Sequence, residues 1–289
     1  MEHINESNTF FLKTKDFSVS GENFELHYNK AKDMLLTTPF PAVKDLAAYY
    51  DSSQYDSHTT QKRTVFDWVY YIVRRHTLKR KLRLISHFKI QKKTLLDYGA
   101  GVGSFVRMAR KSGWDSVGVE ASKQARSAAN QVLPESVFNT EWLKNLPSKS
   151  QSIITLWHVL EHLPNLNSSI QEFKRLLADD GRLIVAVPNY KSYDAKYYKA
   201  FWAAYDVPRH LWHFSPKSIA RLFSQFDFEL ESTHPMLFDA YYVSLLSSKN
   251  KYGRMKIINS LWTGFKSNLL AKQSGDYSSL IYVLKRAEN

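Results

Sequence analysis

The chain of 289 residues contains no cysteine. That removes disulfides and thiolate metal sites together, and with them every cysteine nucleophile. No apolar run approaches the ~20 residues of a membrane-spanning helix. The opening residues, Met1-Glu-His-Ile-Asn-Glu-Ser7, lack the basic segment followed by an apolar one that marks a secretory signal. A cytoplasmic protein is therefore the expectation. Acids are few beside bases, 27 against 40, for a formal net charge of +13. Glycine is sparse as well, ten in all, yet three stand at alternate positions between 99 and 103. Hydrophobic residues make up 44 %, enough for a substantial core and too many for a disordered chain.

The positive charge is concentrated. Lys62 to Lys93 carries eleven Lys or Arg against one acid, Asp67, and a second basic stretch runs from Lys249 to Lys272. Leu261, Trp262, Phe265, Leu269 and Leu270 are interspersed among the cations of the second. Three readings stand side by side. Each stretch is a solvated helix face, or a peripheral contact with an anionic membrane, or a nucleic-acid contact, in that order of preference.

The glycines lie in Thr94-Leu-Leu-Asp-Tyr-Gly-Ala-Gly-Val-Gly-Ser-Phe105. An apolar β-type run ends in Asp97, then Gly99, Gly101 and Gly103 follow, and a helical pattern resumes at Phe105. Strand, glycine turn, helix is the arrangement that lays backbone N–H groups against a nucleotide. The dinucleotide fingerprint G-x-G-x-x-G does not fit, because Ser104 stands where its third glycine belongs. Asp97 would repel a pyrophosphate but suits an ammonium group. Glu120 closes a second β run, placed to accept from both ribose hydroxyls. A ligand with a cation, a ribose and no phosphate fits these residues: S-adenosylmethionine.

On Asp97, the three glycines and Glu120, the chain resembles the class I S-adenosylmethionine-dependent methyltransferases, whose first motif reads acid-x-Gly-x-Gly-x-Gly. The resemblance covers residues 60–235 and the last strand. It is nearest to the branch of ubiquinone-biosynthesis O-methyltransferases and uncharacterised bacterial enzymes. It implies an α/β fold: a Rossmann-like, doubly wound, mostly parallel seven-stranded sheet with helices on both faces. It also implies that the loop Asn139–Leu143 flanks the adenine, with Trp142 stacking on the base and Glu141 accepting from its amino group. Trp157 joins Asp97, Gly99, Gly101, Gly103 and Glu120 in the set expected to contact cofactor. A buried Trp142 without a ligand role is the competing reading.

The rest of the chain fits around this. From residue 94 the β/α alternation is regular, as a parallel sheet covered on both faces requires. Arg63 to His87 carries an apolar stripe (Val65, Trp68, Val69, Ile72, Val73, Leu82, Ile85) with cations opposite, and reads as a helix before the first strand. Residues 1–60 read as a small β appendage, similar to a zinc ribbon without its cysteines and hence metal-free. Residues 61–289 form the methyltransferase domain, with a basic helical insertion at 236–275. Tyr49, Tyr50 and Tyr55, in a stretch ending at His58, form either a lid or a packing contact.

His158-Val-Leu-Glu-His162 matches the H-x-x-E-H zinc motif, but a β run ends one residue before it and Pro164 follows, so the long helix that motif needs cannot form. No metal is expected. The Asn/Asp-Pro-Pro-aromatic motif of exocyclic-amine methylation is missing after the fourth strand, and the absent cysteine removes covalent cytosine C5-methylation. Methyl transfer from a sulfonium needs alignment above all, and a hydroxyl acceptor also benefits from a base near neutrality. His158 and His210 lead the candidates for that base, ahead of His162 and His213. Arg209 pairs with an acidic substrate or with Asp206. The expected activity is O-methylation of a small-molecule, lipid-linked or sugar-linked acceptor by in-line displacement. The alternative is an inactive methyltransferase scaffold that binds membrane or nucleic acid.

Overall fold

The structure is a computed structural model that describes residues 8–42, 45–50 and 65–287; for Ala47 and residues 65–71 it describes the backbone alone. Tyr55 and His58 of the expected lid lie outside the described residues, as do the side chains of Val65, Trp68 and Val69.

Three N-terminal strands, β1 (Asn8–Lys15), β2 (Asn23–Asn29) and β3 (Met34–Thr38), pair antiparallel in sequence order. Helix α1 (Val65–Ser86) follows, then β4 (Thr94–Tyr98), α2 (Ser104–Lys111), β5 (Asp115–Val119), α3 (Lys123–Val132) and β6 (Val137–Phe138). Next come β7 (Gln151–Trp157), α4 (Leu166–Leu176), β8 (Leu177–Pro188) and α5 (Tyr193–Tyr198). The chain closes with β9 (Trp212–His213), α6 (Pro216–Ser224), β10 (Phe228–Pro235), α7 (Asp239–Tyr252), α8 (Ile257–Ser274) and β11 (Ser279–Arg286).

The large sheet has seven strands in the order β10-β11-β8-β7-β4-β5-β6. β11 runs antiparallel to both neighbours, and the remaining pairs are parallel. The central strands β7 and β8 are apolar on both faces because helices cover both: Ile153, Ile154, Leu156, Leu183, Ile184 and Val185 are fully buried. Strand order reverses beside β4, with β5 on one side and β7 on the other, so a crevice opens at its carboxyl end. Ser152 donates to the Lys92 carbonyl and contacts Thr94 Oγ1 at 3.2 Å, tying the feet of β4 and β7 together.

The N-terminal strands do not close on themselves. β3 pairs with β9, a strand from the far side of the large sheet's sequence, to make a four-stranded sheet. Polar staples reinforce that joint. The Arg209 guanidinium donates to Asp206 (2.7 and 3.0 Å), to Asp16 (2.8 and 3.3 Å) and to the Tyr49 carbonyl (3.0 Å). Buried Asp33 receives Tyr28, Lys191 and Ser215. With its donors engaged by two aspartates, Arg209 is a structural clamp, which is the Asp206 alternative read from the sequence.

α6 starts with a capping box between Ser215 and Ser218 and with Pro216 in its first turn, a start signal legible in the sequence. In α1, Ile85 is fully buried and Leu82 packs beside it, but Ile72 is 49 % exposed, so the apolar stripe covers the core only toward the C-terminal end.

Candidate active site

The glycine turn links β4 to α2. Gly99, Gly101 and Gly103 have φ of +77°, +53° and +67°, the left-handed region that L side chains avoid. Two of them are required for different reasons. A Cβ at Gly99 would lie 2.3 Å from Val159 Cγ2, so the turn can close on the β7 loop only without one. A Cβ at Gly101 would meet nothing within 4 Å, so there the positive φ alone calls for glycine.

Glu120 follows β5 and is oriented by backbone alone. Its Oε2 accepts from the Gly101 N–H and its Oε1 from the Ser122 N–H, both at 2.9 Å. Each carboxylate oxygen keeps a lone pair for a ligand hydroxyl. Asp97, 2 % exposed at the carboxyl end of β4, accepts from Thr155 Oγ1 at 2.7 Å. Burial raises its pKa to about 6, against the opposing effects of that hydrogen bond and of the Lys81 charge.

Lys81 is a participant that sequence reasoning missed. It lies in the last part of α1 with its Nζ 4.2 Å from the centre of the Trp157 ring. Desolvation lowers its pKa to about 8, and the charges of Asp97 and Asp239 pull the other way. Nothing in a run of eleven cations distinguishes this one; only the packing of α1 over the end of β4 does. Trp157 packs edge-on against Phe105, and its indole Nε1 is buried without a hydrogen-bond partner among the described residues. Arg74, also on α1, donates to Ser104 Oγ at 2.7 Å.

On the other flank, Trp142 is half-buried and stacks on Phe138 with centroids 4.3 Å apart and planes 7° from parallel. Glu141 is exposed beside it, in the 3₁₀ turn Thr140–Asn145 capped by Asn139. These two sit at the β6 end, next to the strand that carries Glu120.

His158 and His162 follow the carboxyl end of β7, while His210 precedes β9 and His213 lies on it. His158 has φ +57°, a strained angle for a non-glycine residue, and its N–H donates to the Ala186 carbonyl. Its ring lies between two carboxylates: Nε2 is 3.1 Å from Asp239 Oδ2 and Nδ1 is 3.3 Å from Glu161 Oε1. Burial opposes its charge, but the two acids together outweigh burial and hold its pKa up to about 10. His158 is an imidazolium at neutral pH and has no lone pair to offer as a base. Asp239 is a second participant the sequence left unmarked, remote in the chain at the start of α7.

His162 and His210 differ from it. His162 Nδ1 faces the Arg209 carbonyl at 3.0 Å, and His210 Nδ1 faces the Ala204 carbonyl at 2.8 Å. A carbonyl only accepts, so each Nδ1 carries a proton and Nε2 is the nitrogen left to offer a lone pair, that of His210 lying 4.0 Å from Asp206 Oδ2. The rings meet edge to face, centroids 4.5 Å apart. Burial, helped by the neighbouring His210, lowers the His162 pKa to about 4. Tyr50 OH also reaches His162 Nδ1 at 2.9 Å, so this tyrosine of the expected lid does touch the cluster.

The H-x-x-E-H stretch forms no long helix, only the 3₁₀ turn Leu160–His162. The ligand-capable atoms that converge, within 4.8 Å of one another, belong to Glu161, His162 and His210. Glu161 is 1 % exposed, and neither of its oxygens has a well-formed hydrogen bond among the described residues. Burial works against its charge, but the contact with His158 3.3 Å away and the nearby imidazoles of His210 and His162 outweigh burial and lower its pKa. His213 is buried with Nε2 3.0 Å from Thr37 Oγ1, and burial drives its pKa well below the usual histidine value. It serves the β3–β9 joint.

Comparison with known proteins agrees with this geometry. A family model described as methyltransferase domain matches residues 71–233, more than half of the chain. Among curated proteins, nothing matches. The solved structure of 1,6-didemethyltoxoflavin-N1-methyltransferase from Burkholderia thailandensis, with its substrate and S-adenosylhomocysteine bound, is similar at a TM-score of 0.52 and 15 % identity. The alignment covers 91 % of this chain and 99 % of that one. Geranyl diphosphate C-methyltransferase from Streptomyces coelicolor A3(2) is similar at a TM-score of 0.50 and 13 % identity, over 72 % of this chain and 80 % of that one. At such identities the likeness concerns the fold. With the glycine turn and the acid after β5 both inside the matched region, the chain belongs to the methyltransferase-domain family, whose cofactor is S-adenosylmethionine.

Proposed function

We propose that the chain transfers a methyl group from S-adenosylmethionine to an oxygen of a small or lipid-linked acceptor, with His210 Nε2 accepting the proton. The cofactor supplies an activated methyl on a sulfonium, so alignment and proton removal are what remain for the protein. In this reading Asp97 takes the ammonium group of the methionine end and Lys81, beside Trp157, its carboxylate. Glu120 takes the ribose hydroxyls, the glycine turn lies along the ribose, and Trp142 with Glu141 flanks the adenine. His158, fixed as an imidazolium between Asp239 and Glu161, positions the end of β7 and shapes the field around His162 and His210.

The observation that carries the reading is the Glu120 carboxylate, held by the N–H groups of Gly101 and Ser122 at the glycine turn. The oxygen preference is supported by two imidazoles whose Nδ1–H groups are held by carbonyls, beside a buried carboxylate.

Calorimetry with S-adenosylmethionine and S-adenosylhomocysteine tests the first half, and wild-type protein that binds neither would end it. Methyl-labelled cofactor incubated with fractionated metabolite and lipid extracts tests the second. Mass spectrometry of the labelled product is expected to show a methyl ether or ester, and an N-methyl or C-methyl product would refute the oxygen assignment.

A further inference from the structure

Helices α7 and α8 form a hairpin whose second member is inverted relative to an ordinary surface helix. The residues α8 buries are Ser260, Thr263, Gly264, Ser267 and Ala271, all small and mostly polar. At 3.6 residues per turn these share one face. The opposite face carries Ile258, Leu261, Trp262, Phe265 and Leu269, exposed by 83, 45, 64, 47 and 49 %. An amphipathic helix of a water-soluble protein normally turns such a stripe inward.

The inward face explains how the helix is held without it. Gly264 lets α8 approach until a Cβ there would lie 2.9 Å from the Tyr241 backbone. Ser267 donates to Asp194 Oδ1 at 2.7 Å, and Asp194 also receives Trp202 and Ser278. Folding is satisfied by close backbone approach and buried hydrogen bonds, leaving the large apolar side chains in water. A contiguous patch of that kind marks an interaction surface.

Charge identifies the occupant. From residue 249 to 275 the sequence has six cations, Lys249, Lys251, Arg254, Lys256, Lys266 and Lys272, and no acid. Lys251 and Lys256 lie against the Tyr252 ring and Lys266, on α8 itself, against Tyr193. A second copy of the chain would set six cations against six. An anionic lipid surface complements both features at once: apolar side chains enter the acyl boundary while lysines meet the headgroups. We infer that the α8 face docks the protein on an anionic membrane. The patch adjoins the site, because Asn268 of α8 donates to the Leu237 carbonyl at 2.9 Å, and exposed Leu237 and Phe238 immediately precede Asp239.

Vesicle flotation of the full chain tests this independently of any methyl transfer. Flotation is expected with phosphatidylcholine vesicles containing phosphatidylglycerol, not with phosphatidylcholine alone, and it should weaken steeply as salt rises. The double substitution Trp262→Ser with Phe265→Ser is expected to weaken flotation by at least about tenfold, with helicity and cofactor affinity unchanged. Brominated lipid should quench a share of tryptophan fluorescence that Trp262→Phe removes. Wild-type protein that ignores anionic vesicles at low salt, or a double variant that floats equally well, would overturn the inference. So would vesicle indifference combined with a dimer that the double variant dissolves, or with salt-sensitive oligonucleotide binding.

Discussion

His158 Nε2 lies 3.1 Å from Asp239 Oδ2, which joins the end of the fourth strand of the nucleotide-binding core to the first residue of the basic helical hairpin. With Glu161 on its other nitrogen, this ring is charged across the neutral range. Its folded pKa is raised above the ordinary histidine value. The stability it contributes is therefore fully present below about pH 6.5 and is lost as pH rises through about 10. Asp239→Asn is expected to lower the His158 pKa markedly in an NMR titration. It should cost of order 1 kcal/mol at pH 7, because a pair one-third exposed is screened. An unchanged titration would refute the pairing.

Asp97 has the opposite thermodynamic character. Its pKa is raised to about 6, so its ionised form opposes folding: the group favours the folded state below about pH 4, and that contribution is lost as pH rises through 6. Asp97→Asn keeps an acceptor for Thr155 and should raise the melting temperature of the ligand-free protein by about 2–4 °C at pH 7. The same change should weaken S-adenosylmethionine at least about tenfold. Wild-type affinity should fall as pH drops below 6. Calorimetry paired with thermal melts reads both effects, and a variant that binds normally would remove Asp97 from the cofactor site.

The two glycines of the turn should fail in different ways. Gly99→Ala drives a Cβ into Val159 as well as straining φ, so it should lower stability by about 2–4 kcal/mol. Gly101→Ala meets no atom and should cost only the φ strain, about 1 kcal/mol, while sharply reducing cofactor affinity. Denaturant titration beside calorimetry separates the two. Equal binding by Gly101→Ala and wild type would contradict a ligand at that turn.

His210→Gln should lower the rate of methyl transfer to any hydroxyl acceptor by about 10²-fold with cofactor affinity unchanged. His158→Gln should act differently, through stability and the shape of the β7 end, since its ring has no lone pair at neutral pH. A His210→Gln variant with full turnover would move the proton acceptance to His162 or to solvent.

Arg209 holds Asp16 and Asp206 in a buried clamp. Removing it as Arg209→Met leaves two carboxylates uncompensated and should cost about 3–5 kcal/mol by chemical denaturation. Lysine should rescue little of this, because the four side-chain hydrogen bonds use the planar guanidinium fork. Asp16 is held down to about 2, with burial opposed and outweighed by Arg209 and the backbone N–H groups of Ser18 and Ser20. Its stabilising contribution is therefore present above about pH 4 and lost as pH falls through 2.

The residues proposed to hold the cofactor could be picked out in the sequence because they are local. Asp97, the three glycines and Glu120 belong to one β–α–β unit, and a strand–turn–helix must present them together whatever surrounds it. The sheet followed for a similar reason, since strands buried on both faces are continuous apolar runs that stand out between helices. The rest depended on contacts between distant segments. Which cation of α1 reaches Trp157, which acid meets His158, and which nitrogen of His162 and His210 carries the proton were all set by packing between segments remote in the chain. In the proposed function His210 is preferred to His158 as the base on that account. Two carboxylates, one of them from the start of α7, favour the charged form of His158, while backbone carbonyls fix the Nδ1–H of His162 and His210. The α8 stripe shows the same division. Its apolar period is visible in the sequence, but periodicity has no sign, and only the folded chain reveals that the small polar face turned inward and the apolar one out.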